Sequence, residues 1–207
     1  MNLVEKSAFS MLRRLGAVVF LGLLAAACAG DPPPPPASAN VSFEARSAFQ
    51  IPVAFVAVDS YFTPSGRAPY VEHLHKVSPE SIARAWARAR LVATGGPGTA
   101  SLAILDGTVI SEQLDKKGGL TGVFGDQLDT RLKARLKARL TVERPDAEGN
   151  PASWMAEVDA TAERTILESA SLNERDAAYA ALMQSLAEKF DAALTAEVER
   201  SMRPVLR

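Results

Sequence analysis

Two stretches of strict alternation constrain this chain more than anything else in it. Between residues 130 and 143, Leu132, Ala134, Leu136, Ala138, Leu140 and Val142 alternate with Arg131, Lys133, Arg135, Lys137 and Arg139. Between 154 and 164, Trp154, Ala156, Val158, Ala160 and Ala162 alternate with Glu157, Asp159 and Glu163. A period of two belongs to a strand with one face on a core and the other in water. Residues 145–151 carry a proline at each end and read as the turn of a hairpin. Pairing about that turn sets Leu140 opposite Ala156, Ala138 opposite Val158 and Leu136 opposite Ala160. It also sets Arg139 opposite Glu157, Lys137 opposite Asp159 and Lys133 opposite Glu163, a charge-complementary outer face. Leu132, Leu136 and Leu140 are at the same time four apart, the spacing of a helix face.

The rest of the chain supplies partners for that hairpin. In residues 49–62, Ile51, Val53, Phe55 and Ala57 share one side and Ala54, Val56 and Val58 the other, so a strand covered on both faces is expected. Ser78, Pro79 and Glu80 open a helix as N-cap, first-turn proline and first-turn acid. Its apolar stripe is Ile82, Ala85, Trp86, Ala89 and Val92, and Gly95, Gly96 and Pro97 stop it. Residues 101–110 read as a strand with a bend at Asp106 and Gly107. Residues 115–125 are glycine-rich and read as a loop. Ser171 to Glu174 has the capping-box pattern. Tyr179, Leu182, Met183, Leu186, Phe190, Leu194 and Val198 follow at helical spacing, and Pro204 closes the helix. The order is β-α-β-β-β-α: an α+β domain over residues 49–207, a mostly antiparallel sheet with two helices packed on it.

The first 27 residues are of another kind. Lys6, Arg13 and Arg14 precede an apolar or small run of 13 residues, 15–27. A spanning helix needs about 20 apolar residues, so the run reads as a secretory signal. It ends in Leu24-Ala25-Ala26-Ala27-Cys28, which resembles the signal of bacterial lipoproteins, with Ala25 where that family most often has Leu. The resemblance implies that Cys28 takes a diacylglycerol thioether and becomes the first mature residue. Ala29 follows it rather than the Asp that retains such proteins at the inner membrane in enteric bacteria. The resemblance therefore favours the periplasmic face of the outer membrane. Asp31 and five prolines at 32–36 then form a stiff tether, 28–48, extended at about 3.1 Å per residue.

Composition excludes several classes of function. Net charge is −1 on 23 basic and 24 acidic residues, which gives no pull toward nucleic acid. One Cys and two His rule out an intramolecular disulfide and a metal cage built of cysteines or three histidines. Glu72, His73 and His75 could share a metal on an extended segment, but no further His or Cys supports it. No metal or cofactor is expected. Nucleophile-elbow, phosphate-loop and dinucleotide patterns are missing from the sequence, so an enzyme is not expected; the rival is a lipid-anchored hydrolase with a site assembled from dispersed acids. Trp86 and Trp154 read as core. Arg131 and Arg135, the latter facing Thr161, lack an acid directly opposite them. They are the candidate cations for an anionic ligand or partner, beside the glycine-rich stretch 118–125. By element order over residues 49–203 the domain resembles lipopolysaccharide-assembly lipoproteins and auxiliary lipoproteins of lipid-transport ABC systems. The resemblance implies a non-enzymatic accessory role with an envelope protein or lipid as partner.

Overall fold

The expected hairpin is the spine of the fold. The computed structural model describes residues 39–114 and 128–206. Strands β6 (Leu128–Pro145) and β7 (Pro151–Leu167) pair antiparallel in the register read from the sequence, Leu140 facing Ala156 and Leu136 facing Ala160, out to Pro145 facing Pro151. The even-numbered residues of the alternation, from Leu132 to Val142 and from Ala156 to Ala162, are buried. The strand reading thus prevails over the four-residue leucine spacing. At the tip the Asp146 carboxylate accepts from the backbone N–H of Glu148 at 3.0 Å and of Asn150 at 2.8 Å. These bonds hold that carboxyl below the usual range, Asn150 contributing most.

The other edge of β6 is taken by two strands in succession. β4 (Thr99–Asp106) faces residues 143–137, and β5 (Val109–Gln113) faces residues 134–130. The single strand expected over 101–110 is therefore bent where the sequence placed the bend. Register slips between Ile104 and Asp106, and Asp106 accepts from the Thr108 N–H at 3.0 Å.

Parallel pairing adds a strand to this five-stranded sheet and forms a second, two-stranded one. Helix α1 (Pro79–Arg90) is a crossover connection, after which β3 (Leu91–Ala93) pairs parallel with β1 (Phe49–Ile51). Likewise β4 pairs parallel with β2 (Phe55–Ser60). The sheet is therefore mixed: antiparallel through β6 and parallel at this end. Two expectations change here. Residues 49–62 are not one covered strand, because Pro52 lacks an N–H for a ladder and divides them. Ile51 and Val53 are fully buried, but β2 is left on an edge and Phe55 is 55% exposed. The helix stops at Arg90 rather than at the glycines, because Leu91 is already extended and begins β3. Val92 thereby leaves the helical stripe for a half-open strand.

Helix α2 (Leu172–Ser201) lies across β7 and β6, capped by Ser171 and Glu174 in both directions. Its buried residues include every member of the apolar stripe read from the sequence. Where α2 meets α1, a polar cluster sits inside the core. Trp86 Nε1 donates to Asp191 at 2.8 Å, and Arg90 Nε lies 3.3 Å from the same carboxylate. Arg90 also donates to the Thr195 hydroxyl at 2.7 Å and to the Ser47 carbonyl, and its guanidinium lies 4.8 Å from the Phe49 ring centroid. Arg46 reaches Asp191 at 3.5 Å, and Phe43 is buried in the core, so the described chain before β1 packs on the domain.

Candidate functional site

The charged ladder lies on the sheet face opposite the helices. Each β6 cation faces the β7 residue expected from the register: Arg131 faces Thr165, Lys133 Glu163, Arg135 Thr161, Lys137 Asp159 and Arg139 Glu157. Several ion pairs nevertheless run diagonally. Lys137 Nζ lies 3.0 Å from Glu157, and Arg139 Nη2 lies 2.6 Å from the other oxygen of that carboxylate. Arg135 donates to Asp159 through both Nε, at 2.9 Å, and Nη2. Strand twist brings the neighbour two residues along within reach of long side chains.

Arg135 was expected to lack an acid, and the structure corrects this. Besides Asp159, Asp106 lies 3.4 Å from it, delivered by the bend between β4 and β5. Reading only the residue directly opposite misses both acids. The Asp159 hydrogen bonds raise the guanidinium pKa and hold the Asp159 carboxyl below its usual range. Glu157 is likewise lowered, first by Lys137 and then by Arg139. Lys133 turns away from Glu163 and pairs with Glu112 of β5 at 2.9 Å. Glu112 also faces Arg131 across β5, but among the described residues no ion pair forms with Arg131. The two candidate arginines are therefore different. Arg135 is committed to the sheet, and Arg131 is half-buried without an ion pair among the described residues. Cys28 and the 118–125 stretch lie outside the described residues.

This network fixes an expected result. A Lys137→Ala and Glu157→Ala double-mutant cycle should show coupling of about 0.2–1 kcal/mol at pH 7, the range for exposed pairs. Glu157 has a lowered pKa in the folded chain, so its contribution is present above the unfolded value of 4.5 and is lost as pH falls through the folded value. Urea titrations at pH 7 and pH 3 check this. Coupling that is undiminished at pH 3 would contradict an ionic origin.

The histidine segment is tied to the domain by contacts of its own. Residues 72–74 form one 3-10 turn, and Glu72 points inward, 2% exposed, accepting from the Val109 N–H at 3.1 Å. His75 stacks on Tyr179 of α2 with ring centroids 3.5 Å apart. Burial lowers its pKa, while the charge of Asp176 opposes that shift. The Tyr179 hydroxyl donates to the Val77 carbonyl at 3.0 Å, and burial, with Glu72 nearby, raises its pKa. Glu72 and His75 thus serve different elements. Neither this division nor the cluster around Asp191 has a signal in the periodicity.

No protein-family model matches this chain, and no curated protein sequence matches it. Solved structures similar to it at a distance include the following three. A minor lipoprotein from Acinetobacter baumannii is 16% identical, with 73% of this chain and 96% of that one covered and a TM-score of 0.38. A Xanthomonas campestris protein of the DUF330 family is 8% identical, with coverages of 79% and 93% and a TM-score of 0.32. An uncharacterized lipoprotein B from Nitrosomonas europaea is 16% identical, with coverages of 77% and 97% and a TM-score of 0.31.

Proposed function

We propose that this chain is a lipid-anchored, non-enzymatic protein of the bacterial envelope, held at the periplasmic face of the outer membrane. In this reading it serves as a binding component in envelope assembly or lipid transport. One observation carries it: the only Cys of the chain, Cys28, follows Ala25-Ala26-Ala27 at the end of a basic-then-apolar leader. The proline tether after it is suited to holding a domain away from a bilayer. The pairing of Arg135, Lys137 and Arg139 with Asp159 and Glu157 supports a solvated structural face over a set of acids kept free for chemistry. Arg131 is then the ladder cation offered to an anionic partner.

The test is a photocrosslinking residue in place of Thr165, which faces Arg131, in the full chain in intact cells, with and without Arg131→Gln, followed by separation of the two membranes. Adducts in the outer-membrane fraction that Arg131→Gln removes are expected. Recovery with soluble proteins would overturn the anchored reading, and adducts unchanged by Arg131→Gln, or none, would overturn the role of Arg131.

A further inference from the structure

Among the described residues β6 takes one edge of β7, and no strand takes the other from Pro151 to Leu167. Two contacts fix which backbone groups point to that open edge. The Arg135 N–H donates at 2.9 Å to the Thr108 carbonyl, in the bend between β4 and β5. Backbone groups alternate in direction along a strand, so odd-numbered β6 residues turn theirs away from β7. Thr161, which faces Arg135, is then a non-hydrogen-bonded position whose N–H and C=O point outward. Lys189 of α2 agrees, its Nζ donating to the Thr161 carbonyl at 3.0 Å. By the same alternation Ser153, Met155, Glu157, Asp159 and Glu163 also direct their backbone groups outward, and all of them are exposed.

A row of this length is a template for a further strand, and proteins ordinarily interrupt such edges with proline, a bulge or an inward charge. Between Ala152 and Glu163 β7 has no proline, its register to β6 is unbroken, and its buried residues Ala156, Val158, Ala160 and Ala162 are apolar. Its outer-face charges have one sign. Glu157, Asp159 and Glu163 lie beside the β6 cations. Glu157 and Asp159 keep side chains 33% and 39% exposed while paired with Lys137, Arg139 and Arg135, and Glu163 has no ion pair among the described residues. A carboxylate has about four acceptor sites, so each acid can take a second cation from the open side. The outer face runs from cations on β6 to acids on β7, and a strand that continues the series is cationic. A second copy of β7 does not fit, because antiparallel pairing centred anywhere from Glu157 to Thr161 sets acid against acid.

We propose that the open edge of β7 receives an extended segment of a partner protein that carries Lys or Arg at alternate positions on its outer face. Main-chain bonds to Met155, Glu157 and Asp159 hold the segment, and the three acids select it and set its register. Lys189 reaches the edge from the helix side, so it does not oppose cations on the outer face. The edge involves neither Arg131 nor the acyl anchor, and each can fail alone.

The test uses the full chain carrying Cys28→Ser, so that no acyl group intervenes, and follows amide shifts and hydrogen exchange by NMR. The probe is a capped peptide of alternating Arg and Val that begins and ends with Arg. Its controls are the same residues arranged in two blocks, and the alternating peptide with Glu in place of Arg. Saturable shifts and slowed exchange at Met155, Glu157, Asp159 and Thr161 are expected with the probe alone. The N–H groups of Ala156 and Val158, which point to β6, should keep their rates. Met155→Pro should abolish binding, because it removes an outward N–H and no bond to β6. Glu163→Lys reverses a charge that forms no ion pair in the fold and should weaken binding about fivefold, the upper range for an exposed pair. Binding of either control as tight as the probe, shifts without slowed exchange at the edge, insensitivity to Glu163→Lys, or no binding overturns the proposal. A dimeric mass with these amides already protected in the free protein also overturns it, since a second copy then holds the edge.

Discussion

Cys28→Ser is expected to abolish fatty-acid labelling of the protein and to leave it as an unprocessed precursor or a soluble form. The reason is chemical. A thiolate is the nucleophile that forms a thioether, and a serine hydroxyl, close to it in size, does not share that reactivity. The energetic consequence is large, because each buried CH₂ of an acyl chain contributes about 0.8 kcal/mol of membrane affinity and stable anchoring takes two chains. Since the chain holds one Cys, no second thiol can compensate. Labelling with a clickable palmitate analogue, followed by carbonate extraction, measures both effects. Unchanged labelling together with unchanged partitioning would mean that Cys28 is an incidental residue at the end of an ordinary signal.

Asp191→Ala is expected to be the most damaging single change in the domain, costing about 3–5 kcal/mol, as breaking a buried ion pair does. Asp191 is only 7% exposed and is the acceptor for Trp86 and the counter-charge for Arg90 and Arg46. Its removal strands Arg90, which is 5% exposed, in the contact between α1 and α2. For a domain of total stability about 5–15 kcal/mol, that loss is a large fraction, a fall in Tm of roughly 6–20 °C. Asp191→Asn should cost less, because the amide oxygen still accepts from Trp86. Replacing Arg90 with Met together with Asp191→Leu should recover much of the loss, since no charge is then left buried. Urea unfolding of the four proteins checks the series. A loss under 1 kcal/mol for Asp191→Ala would mean that water reaches Arg90 and the cluster is not part of the core.

What could be read in advance was whatever depends on neighbours along the chain. The period of two in residues 130–143 and 154–164, with prolines bounding the turn, determined a hairpin and its register, because a slip of one residue would turn every apolar side chain to water. Ser78, Ser171 and Glu174 marked both helix starts, since a cap satisfies backbone groups within its own first turn. The bend at Asp106 was legible for the same reason, the carboxylate closing on an N–H two residues away. The leader and Cys28 are likewise local.

The tertiary structure alone decided which strands adjoin and which charges meet. Parallel pairing of β2 with β4 has no local signature, and the apolar run of residues 49–62 read as one covered strand, whereas the structure divides it at Pro52 and leaves β2 on an edge. Arg135 looked free because facing residues can be counted from a turn, whereas Asp106 arrives from another strand and Asp159 along the diagonal of a twisted sheet. The meeting of Trp86, Arg90 and Asp191 joins positions about a hundred residues apart. Periodicity reports which face of an element is buried; the partner of each buried or charged group depends on how the elements pack, and that is a property of three dimensions.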